Sequence, residues 1–182
     1  MTISPKGTAG WITGRAQLCS PSLYQGLKGA SHRHSYIFVG FTDGEKGWHD
    51  GGVWYFAGHM MKEELKGTDA MVNIDSLGLG HPTVWPCENT LQSGMLLSFA
   101  KGLNIEVTCS PKYVLLDSLP FSERNVPSIS ISSLTQETFD AHIAPSASDK
   151  ISAARFDDYY QTYKLLAAYL VSLDQLPPAH RN

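Results

Sequence analysis

The chain has no apolar run approaching the roughly 20 residues that span a bilayer. Its opening, Met-Thr-Ile-Ser-Pro-Lys, has neither the basic nor the apolar region of a signal peptide. The expectation is a soluble protein without a leader here, its compartment left open. Positive charge is not in excess: 14 Lys and Arg stand against 17 Asp and Glu, for a net charge of −3. That balance gives no electrostatic footprint for nucleic acid or an anionic membrane. Cysteine is scarce. Cys19, Cys87 and Cys109 cannot all pair, and none sits in a Cys-x-x-Cys spacing. Buried or free thiols are expected rather than a disulfide scaffold or a cysteine zinc site. Also missing are a Gly-x-Ser-x-Gly elbow, a phosphate-binding Gly-x-x-x-x-Gly-Lys-Ser/Thr loop and a Gly-x-Gly-x-x-Gly turn. Repeats, low-complexity tracts and linkers are absent as well. The 182 residues therefore read as one domain, with an atypical segment over 1–20 and a tail over 174–182.

What is present is enough apolar material for a core, at 42% hydrophobic and 17% charged residues. Tyr36-Ile37-Phe38-Val39-Gly40-Phe41 reads as a buried strand ending in the turn-rich Thr42-Asp43-Gly44. Trp54 to Leu65 reads as a helix, and Ala70-Met71-Val72-Asn73-Ile74 as a second buried strand. Asn89 is placed to cap a helix running to about Lys101. Ile105–Cys109 and Ser128–Ser132 are further strands. Phe156, Tyr159, Tyr160, Tyr163, Leu166, Ala167, Leu170 and Leu173 recur at helical spacing, so a final helix with a core-facing aromatic stripe is expected, stopped by Pro177 and Pro178. Alternating strands and helices predict an α/β three-layer sandwich, its mostly parallel central sheet flanked by helices.

Candidate chemistry gathers just after three of these strands, where ligands bind in such sheets. Thr42–Gly47 follows the first and Asn73–Gly78 closes the second. Ser132 to His142 follows the Ser/Ile strand, with Asp149 seven residues on. Two carboxylates and an imidazole from separate strand ends can converge on one metal, and zinc takes such oxygen and nitrogen ligands. His32 and His34, flanking Arg33 in a polar turn, read as solvated, and His59 as an ordinary helix-surface residue.

At these motifs the chain resembles the zinc aminopeptidase-like family of metallopeptidases, whose relatives include glutaminyl cyclases. Phe38-Val39-Gly40-Phe41-Thr42-Asp43-Gly44-Glu45-Lys46-Gly47 resembles the family's Phe-x-x-Phe-Asp-Gly-Glu-Glu-x-Gly, and Asn73-Ile74-Asp75-Ser76-Leu77-Gly78 its Asn-Leu-Asp-Met-x-Gly. Leu116–Phe121, Asn125–Ile129 and Ala141-His142 resemble its later segments. The resemblance spans about residues 20–173 and implies an N-terminally truncated, ligand-depleted member. It implies zinc, weakly or partially held, with Glu45, Asp75 and His142 as metal ligands. Asp117 would be an acid near the substrate amine, and Phe121 a wall of the side-chain pocket.

The departures from the family pattern concern the same chemistry. Gly44 occupies the position of the family's general base. A one-residue slip would make Glu45 the base and put Lys46 at the ligand position. The family's first histidine ligand has no counterpart, and its metal-bridging Asp-Asn-x-Ser-Gly falls where Ala9-Gly10-Trp11-Ile12-Thr13-Gly14 stands. One choice of codons for Trp11–Pro21, read two bases on, restores Asp-Asn-Trp-Ser-Gly, which suggests an ancestral frameshift.

The resemblance thus implies an aminopeptidase hydrolysing N-terminal residues of peptides, with impaired or lost activity. Small peptides or amides would be its substrates. The alternatives are a non-catalytic binding or structural domain, or a hydrolase pairing Ser132 or Ser133 with His142. A sheet edge left open by truncation would suit a homo-oligomer.

Overall fold

The computed structural model describes residues 11–41, 51–87, 90–109, 117–133 and 154–177. In chain order the elements are α1 (Trp11–Leu27), α2 (Gly52–His59), α3 (Lys62–Gly67), β1 (Met71–Asp75), β2 (Thr83–Trp85), α4 (Leu91–Gly102), β3 (Thr108–Cys109), α5 (Leu119–Ser122), β4 (Ser128–Ser132) and α6 (Phe156–Gln175).

The four strands form one sheet in the order β1-β4-β2-β3. Two of its three pairings, β1 with β4 and β2 with β3, are parallel, while β2 runs antiparallel to β4. β4 is central because its Ser-Ile-Ser-Ile-Ser sequence is period-2: Ile129 and Ile131 point to one face and the serines to the other. The β1 register matches it, with Val72 opposite Ile129, Asn73 opposite Ser130 and Asp75 opposite Ser132.

Ile129 and Ile131 are fully buried under Cys19 and Leu23 of α1, Leu96 and Ala100 of α4, and Leu165, Leu166 and Tyr169 of α6. The opposite face carries a second cluster, in which Val53 and Ala57 of α2 meet Phe121 of α5 and Val126, with Met71 packed against them. Helices thus cover both faces of the sheet, as expected for an α/β sandwich. No helix among the described residues is long and apolar enough to cross a membrane.

Several local expectations are corrected. Tyr36–Phe41 forms no strand: Ile37 is 79% exposed, and only Tyr36, Phe38 and Phe41 turn toward the two clusters. Trp54–Leu65 is not one helix but α2 and α3. The chain is extended at Met60 and Met61, where the Met61 N–H donates to Glu64 Oε2 at 2.7 Å and starts the new helix. Thr90 caps α4, its Oγ1 accepting from the Ser93 N–H at 3.1 Å; Asn89 lies outside the described residues.

β2 carries no sequence expectation, because its three residues lie between Pro82 and Pro86 and so read as loop. Only Thr108 and Cys109 of the Ile105–Cys109 run are paired, since β2 offers no longer edge. In α6 the aromatic stripe is narrower than expected. Phe156, 76% exposed, and Tyr160 stack on each other outside the core, which is filled instead by Leu165, Leu166, Tyr169 and Leu170.

The cysteine expectation is also overturned. Cys87 and Cys109 form a disulfide, with Cα atoms 5.5 Å apart. The parallel β2–β3 pairing sets Val84 opposite Cys109, and Cys87 follows three residues on. Spacing in sequence does not reveal this, because 22 residues separate the pair. Cys19 remains a buried free thiol, and burial pushes its pKa up to about 12.

Candidate functional site

The polar face of the sheet leads to the site. Asn73 Nδ2 donates to Ser130 Oγ at 3.2 Å, and Ser130 Oγ lies 2.7 Å from Ser118 Oγ. Ser118 and Ser130 are buried, so this chain of hydrogen bonds satisfies polar groups that would otherwise be costly. It also ties the start of α5 to β4 and, through the register, to β1. Asp117 precedes Ser118, and Asp75 ends β1. The link therefore carries the Asp117 carboxyl into the neighbourhood of Asp75.

Both carboxyls respond to that setting. Burial pushes Asp75 up to about 6, against the hydrogen bonds from Ser76, and the nearby Asp117 charge adds to the rise. Burial also pushes Asp117 upward. The Ser76 hydroxyl donates to Asp75 Oδ1 at 3.1 Å. The turn that follows needs left-handed backbone at Ser76 (φ 48°) and at Gly78 (φ 84°). Gly78 is also closely packed: a Cβ there would come within 3.3 Å of the Tyr159 Cβ. Its N–H donates to Ser133 Oγ at 3.2 Å, and its carbonyl accepts from the Arg155 N–H at 2.7 Å. The loop after Asp75 is thereby pinned to the end of β4 and the start of α6.

The sequence-derived site residues divide as follows. Asp75 and Asp117 are brought together. Phe121 is 5% exposed, its ring packed in the second cluster near Phe56. Ser132 and Ser133 are both buried, and Ser133 is occupied with Gly78, which leaves neither hydroxyl open to a substrate. Glu45, His142, Gly44 and Asp149 lie outside the described residues. Sequence reasoning missed Asn73, Ser118 and Ser130 as the groups that position Asp117. The serine alternation in β4 was the available signal, since it sets three hydroxyls on the face opposite the isoleucines.

The donor chemistry partly fits zinc. Two carboxyls raised in pKa by burial, with the Asp117 charge adding to the rise at Asp75, are oxygen ligands whose ionised forms a cation would stabilise. Among the described residues no group of three or more His, Cys, Asp or Glu side chains is placed to hold a metal.

No family model matches the chain, and no curated protein matches it in sequence. Solved structures do. The zinc aminopeptidase BSAP from Bacillus subtilis superposes with a TM-score of 0.78 at 16% identity, over 96% of this chain and 44% of that one. The Legionella pneumophila aminopeptidase LapA gives 0.76 at 15% identity, over 97% and 49%. An aminopeptidase from Aneurinibacillus sp. strain AM-1 gives 0.71 at 12% identity, over 94% and 43%. The chain spans less than half the length of each of these three proteins. The likeness is one of fold, shared with part of each of these aminopeptidases.

Proposed function

We propose that the chain carries a zinc-peptidase-like site at the carboxyl end of β1 and acts, weakly, on N-terminal residues of small peptides. The observation that carries this reading is that Asp75 closes a strand, buried and within range of the Asp117 charge, with the residue after Asp117 tied to the sheet by the Ser118–Ser130 hydrogen bond. Asp75, Glu45 and His142 would be the metal ligands, an oxygen and nitrogen set that zinc accepts. Bound zinc would supply Lewis-acid polarisation of a peptide carbonyl. Asp117, a part-buried acid, suits a protonated substrate amine. With glycine at position 44 the chain offers no carboxylate where a general base would stand, and such a loss typically costs about 10²–10⁴-fold in rate. The activity is accordingly impaired.

The test combines zinc-binding calorimetry with turnover of an aminoacyl chromogenic substrate, for the wild type and Asp75→Asn. Zinc binding and slow, chelator-sensitive turnover, both lost in Asp75→Asn, support the reading. Zinc binding without turnover reduces it to a non-catalytic metal-binding domain. No zinc binding by the wild type overturns it.

A further inference from the structure

The Ser31–Ser35 turn, which by sequence reads as solvated, is bound down by its two histidines, whose side chains are 22% and 16% exposed. His32 Nε2 lies 2.8 Å from the Leu27 carbonyl oxygen at the end of α1. His32 Nδ1 lies 3.2 Å from Asp174 Oδ2 in the last turn of α6. A carbonyl only accepts, so Nε2 must carry a proton. The other Asp174 oxygen accepts the backbone N–H groups of Arg33 at 3.0 Å and His34 at 3.1 Å. Those bonds favour the ionised carboxylate, so Nδ1 must donate as well. Only the imidazolium satisfies both partners.

His34 repeats the pattern. Its Nε2 lies 2.9 Å from the Leu176 carbonyl oxygen that caps α6, and its Nδ1 lies 3.0 Å from Asp69 Oδ2, just ahead of β1. Each ring nitrogen again faces an acceptor. The carbonyl ends of α1 and α6 also favour a cation through their partial negative charge.

The remaining titratable neighbours do not oppose this arrangement. The Arg33 guanidinium is directed at the Gln175 carbonyl oxygen, 3.4 Å away at the α6 end. The Tyr36 ring meets His32 edge-on at 5.1 Å and donates its hydroxyl to the Leu170 carbonyl at 3.0 Å. Burial, then the Asp174 charge, pushes Tyr36 up to about 12, so it stays neutral.

We propose that His32, His34 and Asp174 form a clasp, operated by the proton that His32 carries between Leu27 and Asp174, that fastens the 31–41 segment across the carboxyl ends of α1 and α6. The proposal stands apart from the metal reading, since none of its groups is a candidate ligand.

The bond to Leu27 raises His32 above its ordinary 6.5, against the opposing effect of burial, and Asp174 adds to the rise. Burial alone would raise Asp174, but the His34 amide, the His32 ring and the Arg33 amide together hold it below its ordinary 3.8. The His32 contribution is therefore complete below pH 6.5 and lost as pH climbs through its raised value. The Asp174 contribution is complete above pH 3.8 and lost as pH falls through its lowered value. The clasp is closed between those limits.

Imidazole nitrogen NMR on the full chain tests this. His32 should be doubly protonated at pH 6 and titrate above 6.5, and Asp174→Asn should move its midpoint down. The wild-type folding constant should fall toward alkaline pH, by up to about tenfold per pH unit within the His32 transition, and His32→Gln should flatten that fall. A His32 midpoint at or below 6.5, or one unmoved by Asp174→Asn, overturns the clasp. Should the Asp174 variant fail to fold, a singly protonated His32 ring in the wild type at pH 6 overturns it alone.

Discussion

Asp75 holds a carboxyl where Asn73, two residues earlier on the same strand face, holds an amide, and the two differ in how they are satisfied. Asn73 donates to Ser130, whereas the hydrogen bonds Asp75 receives from Ser76 do not offset its burial and the adjacent Asp117. A carboxyl raised from 3.8 to about 6 binds more protons folded than unfolded across that interval, so metal-free stability falls as pH rises through it. At pH 8 the ionised group costs on the order of 3 kcal/mol. In chelator, Asp75→Asn should therefore be more stable than the wild type at pH 8 and no different at pH 3, as read by urea unfolding. Added zinc should raise the wild type and leave the variant unchanged. The position of Asp75 was legible in the sequence, because a polar residue closing an apolar run marks a strand end. Its raised pKa was not, because that comes first from burial, which only the packed fold reveals, with the Asp117 charge, 42 residues on in the chain, adding to it.

At the scale of elements, β4 shows which patterns survive into the fold. Its strict alternation needs no partner to be read, and the strand forms where expected. Tyr36–Phe41 has comparable apolarity but pairs with no strand among the described residues, while its aromatics pack one by one against the two clusters. β2 inverts the case, since flanking prolines hide a strand that the β4 edge captures. The two faces of β4 should answer differently to truncation. Ile131→Ala removes a fully buried side chain from the main core and should cost about 2–5 kcal/mol in unfolding experiments. Ser130→Ala leaves the Asn73 amide and the Ser118 hydroxyl short of a partner, at a cost of about 1–3 kcal/mol. It should also release Asp117 from Asp75, so the downward shift of the Asp75 titration in that variant separates positioning from plain packing.

The whole molecule is held at one end of its sheet by a bond that the composition argues against. Among the described residues β3 pairs with β2 through two residues, a short ladder for holding a strand by backbone hydrogen bonds alone. The Cys87–Cys109 disulfide supplies the missing restraint by closing the chain across α4, which runs between them. Closing a loop of 22 residues stabilises by about 3 kcal/mol on the chain-entropy account. Reductant should therefore lower the urea midpoint of the wild type, whereas the Cys87→Ser, Cys109→Ser double variant should start low and not respond. Cys19 is a suitable internal control, because its thiol is buried under α6 and free in both proteins. Loss should begin at β3 and spread to α4, since Leu96 and Ala100 reach the main core beside Ile129 and Ile131 while β3 itself is exposed. Hydrogen exchange resolved by residue checks that order: reduction should deprotect Thr108, whose amide bonds the Pro82 carbonyl, before β4, and equal exchange at both strands would mean that the disulfide serves the entire sheet rather than its edge.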